Sequence, residues 1–252
     1  MYKYLIIFIF SSQILFSQEI SYMKEWVILI NDLANSNTNG YKSHMLEIDY
    51  YNLTNDDLLN NLHIPRGIEK TNFSQGPIHY TNRELDFAIL GEGFFKILLE
   101  DGTIAYTRNG EFMIDTNESV IVNGKFSKKE VTNELIMVNG KYRLYDPIYI
   151  IPGYTQILFT ADHLIIAVYP NGDEINVGRL NIYNLETNEL RDINNNWENG
   201  YIFLYSGNEE YLYNGRVEHK CIELSNVSQI GTILRLIQIS RILGMELIFE
   251  NE

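Results

Sequence analysis

The chain has 252 residues, of which 45% are hydrophobic and 21% charged, so it is long enough for one large domain or two small ones with a buried core. Its 33 acidic side chains against 19 basic ones give a formal net charge of -14, which argues against nucleic acid phosphates or an anionic membrane surface as partners. The 18 Tyr and 12 Phe favour pleated sheet, and a single cysteine, Cys221, cannot close an internal disulfide.

The first 17 residues have the layout of a secretory signal. Lys3 precedes an apolar run over residues 4–10, and a second apolar run ends at Ser17, after which cleavage is expected. The apolar part is shorter than the roughly 20 residues that a membrane-spanning helix needs, so no stable membrane insertion is expected. The alternative is that these residues begin an amphipathic structural helix.

Apolar residues recur every three or four positions between residues 19 and 33, the spacing of one helix face: Ile20, Met23, Val27, Ile30 and Leu33. The asparagine-rich run from Asn35 to Gly40 bonds its own backbone or accepts positive φ, so it ends the helix and turns the chain. We therefore predict an N-terminal helical segment over residues 18–44. Residues 45–66 mix apolar and acidic side chains without a clear period, which predicts a linker.

Residues 67–220 alternate short β-type runs with turn pairs, the rhythm of an all-β domain. Five pairs of Asn or Asp with Gly predict hairpin turns: Asp101-Gly102, Asn109-Gly110, Asn123-Gly124, Asn139-Gly140 and Asn171-Gly172. In the stretch GEGFF at 91–95, Gly91 and Gly93 lack the third glycine, the lysine and the following helix of a phosphate loop. A turn between strands is predicted there, with Phe94 and Phe95 packing in the core.

Charged and histidine side chains give no pattern of a catalytic, cofactor or metal site. The five histidines share no ligand spacing, and acidic pairs such as Glu84/Asp86 fit solvated surface charge better than the paired carboxylates of a hydrolase. Asp86 is expected to be structural, because a buried carboxylate needs donors, and Arg108 is its candidate partner.

Residues 221–252 predict a second helix, beginning near Ser225 and running for about 26 residues at helical apolar spacing. Ser225 or Asn226 is the expected N-cap. The apolar stripe must be buried against the other helix or against other subunits. We therefore predict a mainly β fold with terminal helices, in which the paired N- and C-terminal segments, coiled-coil-like, carry a central β-domain. The residues expected to pair the helices are Ile230, Ile233, Leu234 and Ile237.

Three blocks of the sequence, in order, resemble the axial proteins of the bacterial flagellum, the rod and hook family. The run NDLANSNTNGYK resembles the end of the family's N-terminal helix, and the block from Ser74 to Asp115 resembles its central region. Near the end of the chain, Leu224 to Val227 resemble the start of the C-terminal helix, and Arg241 lies at a characteristic position. The central region is too short for an extra hook-surface domain, so the rod proteins are the most similar branch.

This resemblance implies a structural, polymerising protein without catalysis, located in the flagellar basal body on the periplasmic side. Its implied partners are other axial proteins and copies of itself, with the terminal helices forming an inner layer and the β-domain an outer layer of a tube. No small-molecule substrate is implied. The assembly residues are then Leu33, Ala34, Asn35, Asn37, Thr38, Gly40, Ser225, Asn226, Val227, Ile230, Ile233, Leu234, Ile237 and Arg241.

Several features depart from the family pattern. The first 17 residues look like a secretory signal, residues 120–146 are longer and more charged than the family's plain hairpin, and Ser240 and Leu243 replace residues that are common in the C-terminal helix. They indicate a divergent member. The alternative function is a secreted periplasmic β-rich binding protein that derives from the rod fold and acts outside the flagellum.

Overall fold

The computed structural model describes residues 19–52, 63–115, 118–122, 125–131, 134–137, 142–193 and 201–244. Within these ranges the protein is mainly β with two helices, one near each end. The chain divides into two compact units. We call Met1–Ser36, Ser43–Asn72 and Val227–Glu252 the helical unit, and Asn37–Lys42 and Phe73–Asn226 the β-domain. The predicted signal over residues 1–17 lies outside the described residues.

The helical unit contains two helices and a β-hairpin. Residues 19–34 form α1, as predicted from the apolar spacing, and Gln229–Ile242 form α2. Between them, β1 (His44–Asn52) and β2 (His63–Thr71) pair antiparallel, with His44 opposite Thr71 and Asn52 opposite His63. The linker predicted over 45–66 is therefore wrong for residues 45–52 and 63–66, and the rest of it lies outside the described residues. A two-stranded ladder forms through backbone hydrogen bonds, which do not depend on the side chains, so the sequence need not show the period of two that reveals a strand.

The start of α2 also differs from the prediction. The helix begins at Gln229 rather than near Ser225, and the side chain of Ser228 accepts a hydrogen bond from the Gly231 N–H. The expected caps, Ser225 and Asn226, belong to the β-domain. They continue an extended segment in which the Leu224 N–H donates to the Pro77 carbonyl at 2.9 Å, and this pairing holds the backbone out of the helical conformation. Residues 245–252, the predicted end of the helix, lie outside the described residues.

The described β-domain consists of short strands and one turn of 3-10 helix, Thr187–Glu189. The strands are β3 (Ile78–Tyr80), β4 (Phe87–Leu90), β5 (Phe95–Leu98), β6 (Ile104–Thr107), β7 (Phe112–Ile114), β8 (Glu118–Val122), β9 (Lys125–Val131), β10 (Leu135–Met137), β11 (Arg143–Leu144), β12 (Gln156–Phe159), β13 (Leu164–Val168), β14 (Glu174–Arg179), β15 (Tyr183–Asn184), β16 (Leu190–Asp192), β17 (Ile202–Tyr205), β18 (Tyr211–Leu212), β19 (Arg216–His219) and β20 (Cys221–Glu223).

The largest sheet has seven strands in the order β16-β17-β6-β5-β11-β10-β7. A second sheet has the order β12-β13-β14, and the other described strands form the pairs β15-β18, β19-β4, β20-β3 and β8-β9. Strands from the C-terminal third thus pair with strands from the central block: β19 lies beside β4 and β20 beside β3. These two pairings bring the end of the β-domain back to its beginning.

Two of the predicted hairpin turns join paired strands. Asp101-Gly102 connects β5 to β6, and Asn171-Gly172 connects β13 to β14. Asn109-Gly110 lies between β6 and β7, which do not pair, so the hairpin predicted there is wrong. Glycine is needed at this position for another reason, because a Cβ on Gly110 would lie 1.8 Å from the Phe87 carbonyl oxygen. The pairs at 123–124 and 139–140 lie outside the described residues.

The core of the β-domain has two hydrophobic clusters. The larger contains Phe87, Phe95, Phe112 and many aliphatic side chains. The smaller contains Phe94, Tyr106, Tyr183, Leu185, Leu190 and Phe203. Phe94 and Phe95 are adjacent in sequence and join different clusters because successive side chains of extended backbone point to opposite faces.

Candidate functional site

An apolar stripe lies on the exposed face of α1. Ile20, Met23, Val27 and Ile30 are 36 to 45% exposed, while Ile28 on another side of the helix is 7% exposed. The four residues recur at the spacing of a single helix face. The periodicity that predicted α1 therefore follows a face that this unit leaves open to solvent.

The second helix is apolar on two faces. Leu236 and Ile239 are buried, whereas Ile230 and Leu234 are 75% and 57% exposed and Ile233 is 36% exposed. A helix that is apolar on both sides is suited to burial on both sides. Two other predicted assembly residues lie in α2: Ile237 is partly buried and Arg241 is exposed. Val227 precedes the helix and is partly buried.

Polar contacts within the helical unit join the two helices and the hairpin. Arg235 of α2 makes a two-pronged contact with the Glu25 carboxylate of α1, through Nε at 2.6 Å and Nη2 at 2.9 Å. The Asp32 carboxylate of α1 accepts the backbone N–H of His44, at the start of β1, at 3.0 Å. No sequence pattern predicts these contacts, because the partners are separated along the chain by up to 210 residues.

A groove of about 560 Å³ runs between α1 and the hairpin, inside the helical unit. Its apolar walls include Ile20, Met23, Val27 and Leu46, and its rim carries Glu19, Lys24 and Glu69. The exposed stripe of α1 forms one wall, so the groove and the stripe are parts of one apolar surface.

The first asparagine-rich run makes an intramolecular turn. Leu33 is partly buried and Ala34 exposed, and the Asn35 side-chain amide donates to the Asn31 carbonyl at 3.0 Å. Farther along the run, Thr38 accepts the Tyr41 N–H through its carbonyl at 3.2 Å. Gly40 has φ of +73°, a left-handed conformation that favours glycine. Asn37 is exposed.

The second polar run, LSNVS at 224–228, is also used within the molecule. Ser225 is buried, and the Asn226 side-chain amide donates to the Ser74 carbonyl at 2.9 Å. The Asn226 backbone N–H donates to the Tyr41 carbonyl at 3.3 Å, so the two runs meet inside the β-domain at Tyr41 and Asn226.

The predicted pairing of Asp86 with Arg108 is wrong. Asp86 accepts the Thr81 hydroxyl at 2.6 Å and lies 3.6 Å from Arg83 Nε, and burial raises the pKa of its carboxyl above the usual value. Arg108 pairs instead with Glu223 at 2.8 Å. The sequence could not distinguish these partners, because Glu223 lies 115 residues further along the chain from Arg108.

The remaining donors of Arg108 hold the turn at GEGFF. Its Nη1 donates to the Gly93 carbonyl at 2.5 Å and its Nη2 to the Ile89 carbonyl at 3.0 Å. Gly91 and Gly93 both have positive φ in the connection between β4 and β5. This stretch forms a tight connection between two strands, and the buried Arg108 guanidinium holds it by hydrogen bonds. It does not form a phosphate-binding loop.

The described residues include no group of three His, Cys, Asp or Glu side chains placed to hold a metal ion. In the same part of the chain, neither helix has the length and apolar character needed to cross a membrane.

Comparison with known proteins finds relatives of part of the β-domain. Residues 88–165 match the family model of the flagellar hook protein FlgE/F/G D1 domain. This part of the β-domain is therefore similar to the D1 domain of flagellar rod and hook proteins, and the predicted resemblance to that family is confirmed.

Individual relatives are rod and hook proteins by name. The flagellar basal-body rod protein FlgG of Borreliella burgdorferi is 37% identical over 117 residues, which cover 38% of this chain and 42% of the relative. FlgG of Buchnera aphidicola subsp. Schizaphis graminum is 33% identical over 114 residues, covering 39% of this chain and 44% of the relative. The flagellar hook protein FlgE of Escherichia coli is 30% identical over 98 residues, which cover 37% of this chain and 23% of the relative.

The matched part spans less than half the length of these relatives. Their names nevertheless agree with the prediction of a structural protein rather than an enzyme.

Proposed function

We propose that this chain is a structural subunit of the flagellar basal-body rod, or of a similar axial structure, and that it assembles through the terminal helices of its helical unit. The observation that supports this most directly is the apolar surface of both helices, which bury one face and expose another. Ile20, Met23 and Val27 on α1 and Ile230 and Leu234 on α2 are large apolar side chains in water. Contiguous exposed apolar surface of this kind marks interaction sites.

The proposed partners are copies of this chain and other flagellar axial proteins, and the proposed location is the basal body in the periplasm. The rod and hook identity of the relatives supports both. Assembly also gives a reason for the two-faced character of α2. Its buried face stabilises the subunit, and its open face remains available to a neighbour. Of the predicted assembly residues, we keep Ile230, Ile233, Leu234 and Arg241 as the surface that would contact a neighbour.

The polar assembly residues have a different proposed role. Leu33, Ala34, Asn35, Asn37, Thr38 and Gly40 follow or end α1, and Ser225, Asn226 and Val227 precede α2. Several of them are engaged within the subunit, as the contacts of Asn35, Gly40 and Asn226 indicate. We therefore propose that these residues direct the chain into and out of the helical unit, and that they act on assembly through this placement.

Replacing Ile230 and Leu234 together by Glu tests the assembly surface. Burying a large aliphatic side chain contributes about 1.5–3 kcal/mol, so losing two from an interface should weaken self-association by at least about 100-fold. Sedimentation velocity over a concentration series of the full chain measures this. The matched control is Leu212→Glu, which charges a 68% exposed leucine of the β-domain. Assembly of the double variant at wild-type concentrations, with the far-UV circular dichroism unchanged, would rule out the proposed surface.

The alternative function, a secreted binding protein acting outside the flagellum, is favoured by the signal-like sequence over residues 1–17. Immunodetection in purified basal bodies, with N-terminal sequencing of the detected band, separates the two. Presence in the basal body is expected for the rod subunit, and the first residue found shows whether the segment is removed. Presence only in the soluble periplasmic fraction would favour the binding protein.

A further inference from the structure

Three charged side chains meet in the interior of the β-domain. The Glu223 carboxylate is fully buried and lies 2.6 Å from Lys42 Nζ and 2.8 Å from Arg108 Nε. The side chains of Lys42 and Arg108 are only 1% and 4% exposed. The Gly76 N–H donates to the same carboxylate at 2.8 Å. Charges this deeply buried are tolerated only where partners compensate for the lost water.

The cluster ties together segments that are far apart in sequence. The cluster draws on the loop after α1, the segment before β3, the residue after β6 and the end of β20, which supply Lys42, Gly76, Arg108 and Glu223 in that order. Lys42 Nζ also donates to the Ser74 carbonyl at 2.7 Å. The Glu223 carboxylate is the group common to all of these segments, because it accepts from Lys42, Gly76 and Arg108 together.

Backbone hydrogen bonds beside the cluster join the same segments. The Gly40 N–H donates to the Glu223 carbonyl at 2.8 Å, and the Leu224 N–H donates to the Pro77 carbonyl at 2.9 Å. Lys42 and Asn226 are the last residues of β-domain segments before the chain enters the helical unit, and Phe73 is the first residue after it returns. The charged cluster therefore lies close in sequence to the places where the chain leaves and re-enters the β-domain.

We propose that Lys42, Arg108 and Glu223 form an ionic latch, a conformational device that holds residues 37–42 and 223–226 closed on the rest of the β-domain. With the latch intact, one anion balances two cations. Loss of the anionic charge leaves two buried cations facing each other, and the least costly response is to release the loop that carries Lys42 to water. The ladder between β5 and β6 pairs residues 95–98 with residues 104–107 and includes none of the three residues, so we expect it to stay paired when the latch opens.

Because the cluster holds two cations and one anion, removing the anion and removing one cation should have opposite consequences for the latch. Glu223→Gln keeps the shape of the side chain and raises the net charge of the cluster, so it should open the latch. Lys42→Met leaves the Arg108–Glu223 pair neutral, so it should keep the latch closed; the Ser74 carbonyl still accepts from the Asn226 side chain. Burial lowers the pKa of Lys42 below its ordinary value, in keeping with a cation that the interior disfavours. Combining the two substitutions should therefore partly reverse the effect of Glu223→Gln.

Hydrogen–deuterium exchange on the monomeric full chain tests the latch. In Glu223→Gln we expect peptides covering 37–43 and 220–228 to exchange at least 10-fold faster, with β5 and β6 unchanged. Adding Lys42→Met should recover at least half of this difference on a logarithmic scale. Glu218→Gln is the control, because it removes a carboxylate from the exposed Arg216–Glu218 pair.

Equal acceleration in β5 and β6, or no effect of adding Lys42→Met, would overturn the latch. If Glu223→Gln does not fold, Lys42→Met alone still decides. If residues 37–43 of the Lys42→Met variant exchange within about twofold of the rate in the unsubstituted chain, the charge balance of the latch is supported. Exchange that is 10-fold faster or more contradicts it. The latch goes beyond the proposed rod function, and the readout is intramolecular, so it stands or fails independently of self-association.

Discussion

Two glycines show how the same backbone angle can serve different purposes at the residue scale. Gly40 and Gly91 have φ of +73° and +86°. A Cβ on Gly40 would lie 2.4 Å from the Asn109 backbone nitrogen, whereas a Cβ on Gly91 would meet nothing within 4 Å. Gly91 is therefore needed only for its conformation, while Gly40 also allows two backbone segments of the β-domain to approach closely.

Replacing each glycine by alanine should separate these two needs. For Gly91→Ala we expect a loss of about 1–2 kcal/mol in the free energy of unfolding, the cost of left-handed backbone in a residue with Cβ. Gly40→Ala should cost a further 1–3 kcal/mol or so, because backbone atoms must move away. Urea denaturation followed by circular dichroism measures both. Equal costs would contradict the close approach at Gly40.

At the scale of elements, the start of α2 depends on which serine caps it. Ser225, Asn226 and Ser228 all suit an N-cap, and Ser228 is the one that accepts from a first-turn N–H. Ser225 is buried in the β-domain instead. The helix therefore begins where the chain has completed its pairing beside β3 and not at the first residue able to cap it.

We expect Ser228→Ala to destabilise the helical unit by about 1 kcal/mol, because the Gly231 N–H loses its acceptor. Ser228→Asp keeps an acceptor and places a negative charge at the helix N-terminus, so it should be at least as stable as the unsubstituted chain. Amide exchange of residues 229–232 reports the effect locally. An Ala variant as protected as the Asp variant would show that the cap contributes nothing.

For the molecule as a whole, net charge opposes the proposed assembly. Copies of a chain with formal charge -14 repel one another. The described part of α2 is an exception, since it carries Arg235 and Arg241 and no acidic residue. Association is therefore expected to depend on apolar contact, with long-range repulsion working against it.

Salt should consequently strengthen self-association of the full chain. Raising the ionic strength from 0.01 M to 0.1 M shortens the screening length from about 30 Å to about 10 Å, which removes most repulsion between exposed charges of separate subunits. Light scattering at fixed protein concentration should show larger assemblies at the higher salt concentration. Smaller assemblies there would mean that ion pairs between subunits outweigh the apolar stripes.

Much of this architecture was predictable from short stretches of sequence. The apolar spacing of Ile20, Met23 and Val27 is enough to predict α1, Gly40 marks the turn after it, and the block from Ser74 to Asp115 indicates the family. In each case the signal lies within a few neighbouring residues, because backbone conformation and helical periodicity are local properties.

Tertiary structure alone decided how distant segments combine. The choice of Glu223 over Asp86 as the partner of Arg108 and the start of α2 at Gln229 each depend on contacts across long stretches of chain. A buried guanidinium takes whichever carboxylate the strand pairing brings within reach, and an acidic chain offers many. The sequence by itself determined the local elements and the resemblance to flagellar rod and hook proteins. Strand pairing and burial determined which charges meet and which apolar faces remain open.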